Sequence, residues 1–87
     1  MNPDLRFDGA SETVRFEEEL HGHPVIIDVG RNTIEDRARA ESMSPEELMD
    51  FVRRNRRQIV ENVRHYLRHA SDVTGIRVHD ELLAHCD

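Results

Sequence analysis

A run of arginines is the feature of the sequence that most directly suggests chemistry. Guanidinium groups bind phosphates and carboxylates through paired hydrogen bonds. At helical spacing, Asp50 and Glu61 fall on the same side as these arginines, and no aromatic residue is interleaved with them on that side to stack on bases. The pattern therefore favours a solvated surface or a docking site for an acidic protein over a nucleic-acid surface. The candidate basic face comprises Arg53, Arg54, Arg57, Arg64 and Arg68.

Asn55 and Arg56 belong to the same run but fall in or beside the apolar side of the predicted helix. Polar groups in that position must be paired, because burying an unpaired charge is costly. We expect Arg56 to lie along apolar surface with its guanidinium group reaching a carboxylate, either Glu18 or Asp28. We expect Asn55 to bond the backbone of a sheet edge. The alternative is that Asn55 and Arg56 hold a ligand in a groove between helix and sheet.

The six histidines raise the question of a metal site. His65 and His69 have the i, i+4 spacing of two ligands on one helix, but no glutamate stands between them as in H-E-x-x-H, and nothing fixes a third ligand. The chain also lacks a nucleophile in a recognisable turn and a glycine-rich phosphate loop. We therefore expect a protein that is not an enzyme and that has no metal site and no cofactor.

The composition indicates one small domain spanning residues 1–87, of which 34% are charged. Twelve basic residues, all arginine, oppose 18 acidic ones, for a net charge of −6. The charge is uneven, because residues 51–70 hold six arginines against the single acid Glu61. One cysteine, Cys86, allows no internal disulfide, and no apolar run reaches the ~20 residues that span a bilayer. We expect a cytoplasmic protein without a membrane segment.

Alternating apolar residues predict a β-hairpin over residues 13–29. Val14, Phe16 and Leu20 would share one face of its first strand, and His21-Gly22 would form its turn. A third short strand is predicted over residues 76–79. Residues 1–12 are expected to form an irregular lead-in, in which Leu5 and Phe7 alternating with Arg6 would suit a very short strand. Residues 80–87 are expected to form a mobile polar tail.

Two helices are predicted between the hairpin and the third strand. A short helix over residues 33–40 would begin at a cap of Asn32 or Thr33. A long amphipathic helix is predicted over residues 45–70. Its start is indicated by Ser44-Pro45-Glu46-Glu47, which combines an N-cap, a first-turn proline and a capping-box glutamate. The predicted fold is α+β, with a small antiparallel sheet packed on the two helices.

Five short motifs follow one another along the chain: Val14-Arg15-Phe16, Gly22, Ile34-Glu35-Asp36, Asn55-Arg56-x-x-Ile59 and Ile76-x-Val78. Their order resembles a small bacterial family known as domain of unknown function 1488. The resemblance covers roughly residues 5 to 79 and implies a compact α+β domain in a cytoplasmic bacterial protein, with no activity to transfer.

The sequence leaves two functions open. The first is a non-enzymatic interaction module that binds a protein partner and could form a homodimer. Pro24 predicts a free edge on the second strand at that point, and the long helix would extend beyond the sheet. The second is nucleic-acid binding through the basic face.

Overall fold

The computed structural model describes residues 5–70 and 72–87, so the part of the predicted lead-in before residue 5 lies outside the described residues. Seven elements follow one another along the chain. They are strands β1 (Arg6–Asp8), β2 (Thr13–Leu20) and β3 (His23–Gly30), helices α1 (Arg31–Ala38) and α2 (Pro45–Tyr66), strand β4 (Gly75–Val78) and a 3-10 helix (Asp80–Leu83).

The predicted hairpin is present as β2 and β3. Leu20 pairs directly with His23, so the turn contains two residues, His21 and Gly22. Both have a positive φ, 53° and 89°, as a tight hairpin turn requires. The lead-in is not wholly irregular, because β1 pairs antiparallel with β2.

The sheet is mixed, with the strand order β1-β2-β3-β4, and not wholly antiparallel as predicted. Strand β4 runs parallel to β3, from the pair Ile26–Gly75 to the pair Val29–Val78. Parallel neighbouring strands need a long crossover connection, and the connection from β3 to β4 contains both helices. Strand β4 therefore covers the outer edge of β3 over these residues, whereas Pro24, where the free edge was predicted, lies outside this pairing.

Helix α1 follows β3 without an intervening loop. Its N-cap is Gly30, with no side-chain hydrogen bond, so the predicted cap at Asn32 or Thr33 and the start at residue 33 are wrong. The backbone amide of Arg31 instead donates to the Glu12 carbonyl. The guanidinium group of Arg31 forms ion pairs with the carboxylates of Glu12 and Glu35.

Helix α2 begins as predicted. The Ser44 hydroxyl accepts from the Glu47 amide, and the Glu47 carboxylate accepts from the Ser44 amide. The helix ends at Tyr66 rather than residue 70, because the chain turns at Leu67 to lead into β4. Its 22 residues span about 33 Å. Eight-residue strands reach about 26 Å, so the helix extends beyond the sheet by less than the sequence suggested.

The core lies between one face of the sheet and the helices. It contains Val14, Phe16 and Leu20 from β2, and the other sheet face keeps Glu17 and Glu19 exposed. In the described part of the chain, no helix is both long and apolar enough to cross a membrane. The buried residues of α2 are Leu48, Phe51, Val52, Ile59, Val60 and Val63.

The C-terminal segment packs on α2, where the sequence predicted a mobile tail. Leu82, Leu83 and Cys86 are buried in the core. The Asn62 side chain also donates to the carbonyls of Leu82 and Ala84, both at 2.9 Å. The apolar side chains and the paired backbone explain why residues 80–87 lie against the helix.

Candidate interaction surface on helix α2

The exposed side of α2 is a continuous charged surface, which we call the outer face. The hydrophobic side of the helix faces the sheet, so helical periodicity turns the charged residues toward solvent. The side chains of Arg53 and Arg54 are 62% and 54% exposed, and Glu61 is 69% exposed. The outer face consists of Asp50, Arg53, Arg54, Arg57, Glu61 and Arg64.

The carboxylates of the outer face are shared among its arginines. Asp50 contacts both Arg53, at 3.7 Å, and Arg54, at 3.1 Å. Glu61 contacts Arg64 at 3.3 Å. Arg57 makes no hydrogen bond or ion pair with any residue that the structure describes. The surface thus has four guanidinium groups against two carboxylates and carries an excess of positive charge.

Arg68, the fifth member of the predicted basic face, lies beyond the end of α2. Its guanidinium group donates to the His65 carbonyl at 2.8 Å, in the turn that follows the helix. The structure therefore places Arg53, Arg54, Arg57 and Arg64 on one helical surface and Arg68 at its end.

An open concavity of about 470 Å³ lies along the outer face. Arg53, Arg57 and Arg64 line it from the helix, and Glu18 lines it from β2. Guanidinium groups arranged in this way can bind carboxylates or phosphates, since each offers a planar pair of donors. The polar lining and open shape of this concavity do not suit an apolar small molecule, which requires an enclosed apolar cleft.

Arg56 lies between α2 and β2. Its Nη2 atom donates to the Glu18 carboxylate and to the Glu17 carbonyl, both at 3.1 Å, and its guanidinium group lies 4.5 Å from the centre of the Phe16 ring. The predicted contact with Glu18 is thus present. Asp28, the other candidate, pairs instead with Arg15 at 2.6 Å, and this bond raises the pKa of Arg15.

Asn55 bonds a different backbone from the one expected. Its amide nitrogen donates to the Phe51 carbonyl at 2.9 Å, and its oxygen accepts from the Asp87 amide at 3.0 Å. The expected bond to a sheet edge is therefore wrong. Asn55 and Arg56 do not converge on one groove, because Asn55 faces the C-terminal segment and Arg56 faces β2.

The histidines are dispersed over the fold. The Nε2 atom of His21 donates to the Arg64 carbonyl at 3.3 Å, and that of His23 donates to the Val73 carbonyl at 2.8 Å. Within residues 5–70 and 72–87, no group of three or more histidine, cysteine, aspartate or glutamate side chains is placed to hold a metal ion.

Comparison with solved structures finds a protein of unknown function from the DUF1488 family of Shewanella loihica PV-4. The two chains are 22% identical, with a TM-score of 0.65 over 91% of this chain and 96% of that one. This likeness shows the fold and confirms at that level the resemblance seen in the sequence. No protein-family model matches the chain, and no curated protein matches it.

Proposed function

We propose that the protein is a non-enzymatic binding module that holds an acidic segment of a protein partner against the outer face of α2. The excess of guanidinium groups over carboxylates on that face carries the proposal, and Arg57 contributes most to it. Arg57 is exposed and has no partner among the described residues. A carboxylate from another chain would therefore meet a guanidinium group that has no intramolecular pair to break.

The residues around Arg57 favour a protein over a nucleic acid. Asp50 and Glu61 lie on the same face, so its arginines do not form the unbroken basic surface that a continuous phosphate backbone would follow. Tyr66 is exposed, but it lies at the end of α2 and its ring packs edge-on against His79. It is therefore not arranged with the arginines as a stacking platform for bases.

The setting of Cys86 supports a non-catalytic function. Its side chain is buried and burial raises the pKa of the thiol, which disfavours the nucleophilic thiolate. A single buried thiol also suits a reducing compartment, so we place the protein in the cytoplasm.

Titration of a fluorescent poly-glutamate peptide tests the proposal, with a mixed-sequence DNA duplex in parallel. We expect the peptide to bind, and we expect binding to weaken as salt is added. Arg57→Gln should lower the affinity several-fold. Arg77→Gln is the matched control, because Arg77 is also exposed but lies on β4, away from α2.

Two results would contradict this proposal. One is the absence of peptide binding at low salt. The other is tight binding of the duplex that Arg57→Gln weakens while the peptide stays unbound, since the surface would then serve nucleic acid.

A further inference from the structure

Three arginines of the outer face form a line along α2, which we call the arginine stripe. It consists of Arg53, Arg57 and Arg64, all of them exposed. With about 100° per residue, the three lie within about 40° of one another around the helix axis. At about 1.5 Å per residue, Arg57 stands about 6 Å along the axis from Arg53, and Arg64 about 10 Å further. The stripe is therefore a linear array of guanidinium groups.

The carboxylates of the outer face lie to one side of this stripe. Asp50 and Glu61 are about 60° and about 80° around the axis from Arg53, on the side away from β2. On the other side, Glu18 of β2 lines the same concavity, but its carboxylate accepts from Arg56. A carboxylate that lies along the stripe thus meets guanidinium groups before it meets other carboxylates.

Arg53 and Arg64 keep donors for a partner although each has a contact within the helix. The Nη1 atom of each group approaches a carboxylate, at 3.7 Å for Arg53 and 3.3 Å for Arg64. A guanidinium group has several N–H donors, so one such contact leaves others available. Both contacts are exposed and contribute little to stability, so sharing these arginines with a partner costs little.

The spacing along the stripe favours a helical partner over an extended one. An extended chain advances about 3.3 Å per residue, so the gaps that follow Arg53 and Arg57 correspond to about two and about three residues. Successive side chains of a strand point to opposite sides, so acids at both spacings cannot face the stripe together. A helix has the same rise and periodicity as α2, so its acids can face all three arginines.

Val60 lies on the stripe between Arg57 and Arg64. It is 7% exposed and lines the concavity, so the partner position opposite it needs no charge and suits an apolar side chain. The direction of the partner follows from the helix dipoles. They favour an antiparallel pair, because the negative end of α2 then lies beside the positive end of the other helix.

We infer that the acidic segment bound by the outer face is an amphipathic helix of a different protein, lying antiparallel to α2 on the arginine stripe. The inference rests on the proposed function and gives the form of its partner. From its N-terminus, the partner presents an acid to Arg64, an apolar residue to Val60, and acids to Arg57 and Arg53. The spacing of these four residues gives the partner the pattern Glu-x-x-x-Leu-x-x-Glu-x-x-x-Glu, or its aspartate equivalent.

Binding of helical peptides to the full chain, measured by fluorescence anisotropy at about 20 mM salt, tests the inference. The facial peptide has this pattern in an alanine and glutamine background, with a staple on the opposite side to keep it helical. The scrambled peptide has the same composition and staple, but two of its glutamates are moved off the binding side. We expect the facial peptide to bind about fivefold more tightly, because the scrambled peptide loses two ion pairs. Equal affinities overturn the inference.

A charge exchange tests the register of the two helices. Arg57→Glu should weaken binding of the facial peptide about tenfold, because it places two carboxylates opposite each other. A facial peptide with arginine in place of its middle glutamate should restore the affinity for Arg57→Glu but not for Arg64→Glu. Restoration in both variants, or in neither, contradicts the inferred arrangement.

Arg53 and Arg54 provide a matched pair, because they are adjacent and exposed but only Arg53 lies on the stripe. Arg53→Gln should weaken binding of the facial peptide more than Arg54→Gln does, and the reverse order argues against the stripe as the binding site. Circular dichroism confirms that each variant is folded. If poly-glutamate binds while the facial and scrambled peptides bind equally, the helical partner is wrong and the proposed function stands. If neither poly-glutamate nor the facial peptide binds, both are wrong.

Discussion

On the side of α2 that faces the sheet, Arg56 stacks over Phe16 and bonds Glu18, whereas Arg57, the next residue, reaches into solvent without a described partner. The residue type and the helix are the same, so the difference comes from the turn of about 100° between them. Arginines in one run therefore have unlike roles. Arg56 joins α2 to the sheet, and Arg57 is available to another molecule.

The same division separates the two sides along most of the helix. The inner side, which we define by Phe51, Asn55, Arg56 and Asn62, is buried in the core at Phe51 and bonds the sheet and the C-terminal segment through its polar residues. The outer face bonds mainly within its own helix. Arg54 is the exception, because its guanidinium group also donates to the Asp87 carbonyl at 3.3 Å and lies 5.8 Å from the centre of the Phe51 ring. Substitutions on the inner side and in the segment it holds should thus change stability, and substitutions on the outer face should change association.

The largest expected effect concerns Leu83, which is completely buried in the core. Leu83→Ala should lower the free energy of unfolding by about 3 kcal/mol, because it leaves a cavity in a packed core. Urea denaturation measures the loss. Glu81→Ala, an exposed change in the same 3-10 helix, is the control and should have an effect below about 0.5 kcal/mol. Equal effects of the two changes would mean that residues 80–87 do not belong to the folded core.

Asn62 should have the next largest effect. Asn62→Ala leaves the carbonyls of Leu82 and Ala84 without their donor, and we expect a loss of about 2 kcal/mol in thermal or urea denaturation. Glu61→Ala changes the neighbouring residue on the outer face and should cost less than about 0.5 kcal/mol. If Glu61→Ala were as destabilising as Asn62→Ala, the division between the two sides of α2 would be wrong.

Local signals in the sequence predicted the parts of the fold that depend on neighbouring residues. The start of α2 follows from the capping box at Ser44, and the hairpin register follows from the two-residue turn at His21-Gly22. The direction of β4 had no such signal. Its alternating residues are equally compatible with a parallel and an antiparallel neighbour. A connection through two helices permits either direction, so the choice depends on where the chain re-enters the sheet after α2.

The inner side shows why distant contacts were harder to predict. The helical position of Arg56 beside an apolar stripe was enough to propose Glu18 or Asp28 as its partner, and Glu18 is the one it contacts. The partner of Asn55 lies 32 residues away, in a segment whose polar composition suggested mobility. The sequence did contain one signal that this segment packs on the helix, since three apolar residues in five positions can cover a helix. These residues are Leu82, Leu83 and Cys86.

Arg56 itself provides the sharpest comparison with its neighbour. Arg56→Met should lower the free energy of unfolding by about 1 kcal/mol, because the Glu18 carboxylate and the Glu17 carbonyl lose a donor. The expected loss of stability is modest because the side chains of the Arg56–Glu18 ion pair are 30% and 31% exposed. Arg57→Met should leave stability within about 0.5 kcal/mol of the wild type. Stability unchanged in both variants would favour the ligand-binding alternative for Arg56.

The smallest effect is a pH dependence from Cys86, whose backbone carbonyl accepts from Arg37 and whose thiol lies in the core. Burial raises the pKa of this thiol in the folded state, so the unfolded chain loses the proton first as the pH rises. The folded state then binds more protons than the unfolded one, and the free energy of unfolding falls above a pH of about 8.5. Below that pH both states keep the proton, and the contribution of the thiol to the free energy of unfolding is fully present.

Denaturation of the wild type and of Cys86→Ala across this range isolates the thiol, since other titrating groups are common to both. We expect the difference between them to change by less than about 1 kcal/mol, and a difference that is flat with pH would show that the thiol is as solvated in the fold as in the unfolded chain.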